Sequence, residues 1–246
     1  MHLKNIANLG DNVLQLNFMR RACLENRWLA FDYYCKLEYH PALLDFVDSE
    51  WSDQIWLHSL NIVLVDILDT WIAAPCHGGF YHRHPLNRDY PRFYVDFFNM
   101  LARKLGFTSP VKDPQDVLLH HPCFATGSDR AFVDILVLDC PAKSGQFHFV
   151  PTEWADAVQW WRSQGKLVAT VNGMGLSLKE IGQLAVSAKH VVGVGTGPLH
   201  TAFNTVSAKT VESWHIFDHC HDYCYNDRVV MHHHGADLLG ISQWRY

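Results

Sequence analysis

In the second half of the chain, short apolar runs alternate with stretches whose apolar positions recur every three or four residues. Phe132–Leu138, Lys166–Val171 and Val191–Val194 have the near-continuous apolar character of parallel strands covered on both faces. Helical patterns lie between them. The first is capped by Thr152, runs to Gln164 and is stopped by Gly165. The second opens on Ser177-Leu-Lys-Glu180, a capping box, and turns Ile181, Leu184, Ala185 and Ala188 inward. A third covers Pro198–Thr205, and Thr210–Trp214 reads as a further strand. Trp154, Trp160 and Trp161 fall on the first helix and are expected to pack it against the sheet.

The first half shows the same grammar less sharply. Leu3–Leu9 reads as a strand, followed by Gly10-Asp11-Asn12 and an apolar helical pattern through Val13, Leu14, Leu16, Phe18, Met19, Ala22 and Cys23. Asp11 or Asn12 suits the cap of that helix. Trp28–Tyr34 predicts a strand and Pro41–Val47 a short helix, whereas Gln54–Leu60 and Ile62–Leu68 fit either. Pro91–Leu105 predicts a helix with Phe93, Phe97, Phe98 and Leu101 on one face, closed by Gly106. Residues 107–130 carry Pro110, Pro114, Pro122 and Gly127 and read as a connection between two domains, residues 1–118 and 119–246. Strands alternating with helices at this spacing predict an α/β fold: a parallel sheet with helices on both faces.

Composition narrows the function classes. A hydrophobic fraction of 48% over 246 residues is enough for a sizeable core, and 18% charged residues argue against disorder. The formal net charge of -5 gives no basis for nucleic acid as a partner. No apolar stretch approaches the roughly 18 residues of a membrane span, and Met1-His-Leu-Lys-Asn-Ile has no apolar core of a secretion signal. The seven cysteines are scattered, so reduced thiols and a cytoplasmic location are expected.

The segment with the most chemical content is Val191-Val-Gly-Val-Gly-Thr-Gly-Pro-Leu-His-Thr-Ala202. It reads as a buried strand, a glycine-rich turn and a helix start. Glycines let a ligand approach the backbone, and free N–H groups at a positive helix end suit a phosphate. The same residues also make an ordinary tight strand-to-helix turn. His215, His219, Cys220, His221, Cys224 and His232-His-His234 are ligand types for a metal, but their spacing is not that of a zinc finger.

The order of these motifs resembles glycosyltransferase family 9, the lipopolysaccharide heptosyltransferase-like group. The matching run is Phe132–Leu138, Pro141-Ala-Lys-Ser-Gly145, Trp154, Gly165–Val171, Ser177-Leu-Lys-Glu180 and Gly195-Thr-Gly-Pro-Leu-His200. Gly10-Asp11 after the first strand, and His82 followed by a helix ending in Lys104-Leu-Gly106, are also similar. The resemblance implies a GT-B-like architecture: two Rossmann-like domains with a cleft between them, the first reduced in this chain. It implies a nucleotide-diphosphate-sugar donor held by the second domain, a glycan or glycolipid acceptor, and peripheral association with a membrane where the acceptor is a lipid. No cofactor is implied.

The resemblance puts the catalytic base at Asp11, where a helix cap is the competing use. Donor contacts fall on Gly195, Thr196, Gly197, Pro198, Leu199 and His200. Lys143 suits a diphosphate as a point charge or is a solvated loop lysine, and Glu212 suits a ribose hydroxyl. His200 is equally at home packed against the next loop. The basic loop around His82, Arg83 and Arg88 suits an anionic acceptor or is simply solvated surface. The expected activity is inverting, metal-independent sugar transfer. The chain departs from the family pattern at Gly195, where the family carries an acid. That departure motivates the alternative of a non-catalytic nucleotide-sugar-binding module.

Overall fold

The computed structural model describes residues 1–5, 7–47, 53–60, 68–69, 89–125, 132–141, 150–219 and 221–233. The chain divides into two compact units, Met1–Pro122 and Cys123–Tyr246.

The first unit carries a four-stranded parallel sheet in the order β3-β2-β1-β4. Its strands are β1 (His2–Asn5), β2 (Phe31–Lys36), β3 (Ile55–Leu60) and β4 (Leu68–Asp69), and its helices are α1 (Leu9–Glu25), α2 (His40–Phe46) and α3 (Tyr90–Leu105). In β2, Phe31, Tyr33 and Cys35 are fully buried. Asp32 and Tyr34 point the other way, and Asp32 meets His58 across the strands at 2.9 Å. That face is therefore polar and half-exposed rather than apolar. The ambiguous Gln54–Leu60 resolves as strand β3, because its backbone pairs in parallel with β2 along its whole length. Most of Ile62–Leu68 lies outside the described residues.

Helix α1 starts earlier than its sequence suggests. Asn8 is the cap, Gly10 lies inside the first turn, and Asp11 occupies the third helical position. Neither Asp11 nor Asn12 is the cap, because the extended backbone that a cap needs occurs at Asn8. Helix α3 ends as expected on Gly106, whose φ of 80° is the left-handed conformation that glycine adopts without strain. The proline-rich stretch after it is no loose connection up to residue 122. Asn17 Nδ2 donates to the carbonyls of Val117 and Leu118 at 3.3 and 3.1 Å. Arg21 meets Asp116 at 2.7 Å. Buried polar groups of α1 thus fasten this segment to the first unit.

The second unit has a five-stranded parallel sheet, order β6-β5-β7-β8-β9. The strands are β5 (Val133–Leu138), β6 (Val168–Thr170), β7 (Ala188–Val194), β8 (Ser213–Phe217) and β9 (Val229–His232). The helices that position its upper edge are α4 (Pro151–Ser163), α5 (Leu178–Ser187) and α6 (Gly197–Ala202). Trp154 and Trp161 of α4 are buried against Ile135, Val137, Val192, Val194 and Phe217, with Trp160 packed at the margin. The capping box of α5 is present: Glu180 N–H donates to Ser177 Oγ at 3.3 Å and Ser177 N–H to Glu180 Oε2 at 2.8 Å.

Several expectations need correction here; the strand read at Lys166–Val171 is confined to Val168–Thr170, with Val171 in a helical turn. Helix α4 starts from Val150, so Thr152 lies in its first turn rather than at its cap. Ala188 belongs to β7, not to the inward face of α5. The strand placed at Thr210–Trp214 begins at Ser213; Thr210 ends a short turn, where its hydroxyl donates to Val186 O at 3.1 Å. Among the described residues, no helix is long and apolar enough to cross a membrane.

Candidate functional site

Open parallel sheets bind ligands beyond the carboxyl ends of their strands, so the loops leaving β1 and β7 are the places to examine. Both hold residues singled out above.

In the second unit, β7 ends at Val194 and Gly195 extends its pairing by one bond, donating to Phe217 O at 3.0 Å. Thr196 is the extended cap of α6, and Pro198 sits in the helix's first turn. Thr196, Gly197 and Pro198 are half-buried, whereas Gly195, Leu199 and His200 are buried. The Leu199 N–H donates to Thr196 O at 3.0 Å, so it is not available to a phosphate. The Thr196 and Gly197 N–H groups bond to no partner among the described residues and are the available donors of the turn.

His200 is 4% exposed, and burial pushes its pKa down to about 3. Its ring packs 5.9 Å from that of Tyr223. It is a neutral interior side chain, packed as the alternative reading of His200 has it. Glu212 is displaced. It precedes β8, pairs its N–H with Lys189 O at 2.8 Å, and so stands at the amino end of the sheet, opposite the turn.

The residue that sequence reasoning missed is Asp218, at the carboxyl end of β8. It is fully buried. It accepts from the His221 N–H at 3.0 Å and from the Tyr223 hydroxyl at 3.2 Å, and its carboxylate lies 3.3 Å from His221 Nδ1. A side chain at Gly195 would run into Asp218 Oδ2 and come within 2.7 Å of the Tyr223 hydroxyl. Gly195 is therefore the residue that lets a buried carboxylate from the next strand lie directly beneath the turn. Where the family carries an acid at position 195, this chain has a glycine beside the buried carboxylate of Asp218. Placing β8 three residues early hid it, because Asp218 then lacked the signature of a residue just past a parallel strand.

In the first unit, Asp11 lies half-buried in the first turn of α1, just beyond β1. The Asn8 N–H donates to its Oδ2 at 3.1 Å, and the Tyr94 hydroxyl donates to Oδ1. Burial outweighs these bonds and raises the Asp11 pKa to about 6. The loop itself is braced from below. Asn5 holds the Ala7 N–H at 2.8 Å and bonds to Gln15, and the Tyr33 hydroxyl donates to Asn12 at 3.0 Å. A carboxylate poised near neutrality at a sheet's carboxyl edge has the properties of a general base.

Lys143, His82, Arg83 and Arg88 lie outside the described residues. Cys220 and His234 of the histidine cluster also lie outside the described residues; within them His215 meets His232 at 3.2 Å, His221 meets Asp218, and His233 meets Asp222 at 2.9 Å and the Asp218 carbonyl at 2.7 Å. Among the described residues, no three potential ligands are arranged to hold a metal ion. A cavity of about 700 Å³ lies along α4 and the ends of β5 and β6, lined by Asp139, Trp154, Arg162 and Asn172 among others. Among the described residues, none of those assigned above to the donor, the acceptor or catalysis lines it, although Pro141 and Trp154 belong to the run that resembles the family.

No protein-family model matches the sequence, and no curated protein is similar to it. Solved structures are. The chain superimposes on the E. coli heptosyltransferase WaaC with ADP at a TM-score of 0.54 and 12% identity, covering 99% of this chain and 98% of that one. The fold is that of the heptosyltransferases. A family 9 glycosyltransferase from Veillonella parvula gives a TM-score of 0.53 at 9% identity, covering 94% and 85% of the two chains. The iron-containing dodecameric E. coli glycosyltransferase TibC gives 0.55 at 16%, with 96% of this chain but 65% of TibC covered. The resemblance read from motifs in the sequence is thus met at the level of the fold, which is mixed α/β with parallel sheets.

Proposed function

We propose that the protein is a glycosyltransferase that moves a sugar from a nucleotide-diphosphate-sugar donor to a hydroxyl of a glycan or glycolipid. The observation that carries this reading is Asp11: an acid beyond the first strand of a heptosyltransferase-like fold, with a pKa raised to about 6. In the reaction, the acceptor oxygen attacks the anomeric carbon while its proton passes to the Asp11 carboxylate. The bond from that carbon to the diphosphate breaks, and its electron pair leaves with the nucleoside diphosphate. One displacement inverts the anomeric centre. The N–H groups of Thr196 and Gly197 are assigned to the leaving diphosphate, where fixed dipoles stabilise developing charge. Lys143 is assigned there from the family resemblance, and the loop of His82, Arg83 and Arg88 to the acceptor. The diphosphate charge is then carried without a metal, so EDTA should leave the transfer rate unchanged. A cytoplasmic location accompanies the reading. WaaC and TibC have been crystallised with ADP and ADP-heptose, which makes adenosine donors the first to try.

The test is a transfer assay over a panel of nucleotide sugars and lipid or glycan acceptors, with Asp11→Asn alongside. Turnover by the wild type, lost in Asp11→Asn while nucleotide binding persists, is expected. Undiminished turnover in that variant overturns the assignment. Binding without turnover on any pair leaves the non-catalytic module.

A further inference from the structure

Asp11 is held more tightly than a helix start requires. A capping box needs one bond to the backbone, and Asn8 N–H supplies it to Oδ2 at 3.1 Å. The other oxygen, Oδ1, takes the Tyr94 hydroxyl. Tyr94 reaches it from α3, far away in sequence. Its ring is 1% exposed and is surrounded by the rings of Phe93, Phe97 and Phe98, with centroids 5.4, 5.7 and 5.4 Å away. Packing on that scale leaves the hydroxyl one direction to point. Since Tyr94 donates to Asp11, its oxygen is left to accept, and the Tyr90 hydroxyl lies 3.2 Å from it, one helical turn earlier. Two buried hydroxyls in series thus end on one carboxylate, and each bond in such a chain polarises the next.

On the reading of Asp11 as the base, we propose that Tyr94, backed by Tyr90, is the positioning residue of that base, fixing the carboxylate's orientation and sustaining its charge in a half-buried place. Among the described residues, the other titratable groups that act on Asp11 are Lys36 at the end of β2 and Tyr39 in the turn after it. Lys36 favours the carboxylate, while burial pushes the Tyr39 phenol up to about 12, so it stays neutral. Tyr94 is itself held well above its ordinary pKa by burial and by the neighbouring carboxylate, and remains a donor at every working pH. Burial lifts the Asp11 pKa and the hydroxyl lowers it, so the balance between them sets the pH at which the base becomes available.

The experiment is a carboxyl-carbon NMR titration of the full chain labelled at aspartate, with Asp11→Asn assigning the signal. It is run on the wild type, Tyr94→Phe and Tyr90→Phe, beside the pH profile of transfer. A hydrogen bond to a charged group predicts that Tyr94→Phe raises the Asp11 midpoint by about one to two pH units. Tyr90→Phe should raise it by less, and the acid limb of the transfer profile should move by the same amounts. A midpoint unmoved in Tyr94→Phe overturns the role, however much turnover falls, because merely structural damage has no reason to shift that titration. If Tyr94→Phe fails to fold, an unmoved midpoint in Tyr90→Phe overturns it instead. The two readings fail separately. Transfer by the wild type with unmoved midpoints removes Tyr94 alone, whereas raised midpoints without wild-type transfer uphold its hold on Asp11 and remove the sugar-transfer reading.

Discussion

Replacing Asp11 by Asn should stabilise the first unit at alkaline pH while abolishing transfer. A carboxyl whose folded pKa exceeds its unfolded value binds its proton more tightly in the folded state, so its charge opposes folding. The cost is absent below the unfolded value of 3.8, grows as pH rises, and is complete above the folded value of about 6. A rise of that size corresponds to about 3 kcal/mol. Asparagine carries no charge and keeps one oxygen for Asn8 N–H or Tyr94, but it replaces the second acceptor by a donor, a loss of about 1 kcal/mol. The net expectation is a gain of about 2 kcal/mol at pH 8 and a loss of about 1 kcal/mol at pH 4. Urea unfolding read from the amide signals of α1 and α3 reports this unit without interference from the other. Equal destabilisation at both pH values would refute the reasoning, because a plain structural aspartate loses the same contacts at either pH. A residue kept at a cost to stability is one that function requires.

Gly195→Ala places a methyl group against Asp218 and Tyr223, both buried and bonded to each other. Overpacking together with a lost hydrogen bond predicts about 2–4 kcal/mol in denaturant unfolding of the second unit, with nucleotide binding lost beside it. Burial holds the pKa values of His200, His215 and His221 at about 3, 3 and 4. Depressed folded pKa values mean that the unfolded chain binds these protons first. The second unit should therefore lose up to about 4 kcal/mol per pH unit below pH 6.5, with the loss ending near the folded values, as acid unfolding of that unit will show. The contribution of Asp11 in the first unit runs in the opposite direction, present in acid and lost as pH rises. Ser177→Ala removes the cap hydroxyl of α5 and should lower stability by about 1 kcal/mol, with no effect on nucleotide affinity.

What was legible in the sequence was what depends on near neighbours. The Ser177–Glu180 box, the apolar runs of β5 and β7 and the glycine stop of α3 are local signals; each is present, with β7 reaching back to Ala188 and β5 starting at Val133. The failures lie where tertiary partners decide. Gly10 reads as a turn residue, yet it is buried in α1, because the capping box of Asn8 and Asp11 starts the helix two residues earlier. Glu212 reads as a residue beside the strand placed at Thr210–Trp214; pairing with β7 puts the strand at Ser213–Phe217, so that the residue following its carboxyl end is Asp218. In the sequence Tyr94 is one of several aromatics in the helical pattern of Pro91–Leu105, with nothing to set it apart. Its hydroxyl acquires meaning only once α3 is laid beside the first turn of α1.

On the proposed reading the turn after β7 receives the donor's diphosphate while Asp11 serves as the base. A crystal structure of the full chain with a bound nucleoside diphosphate tests it most directly. The account predicts diphosphate oxygens at about 2.7–3.2 Å from the N–H groups of Thr196 and Gly197. Nucleotide bound instead along α4, in the cavity of Asp139 and Asn172, with the turn untouched, would contradict it.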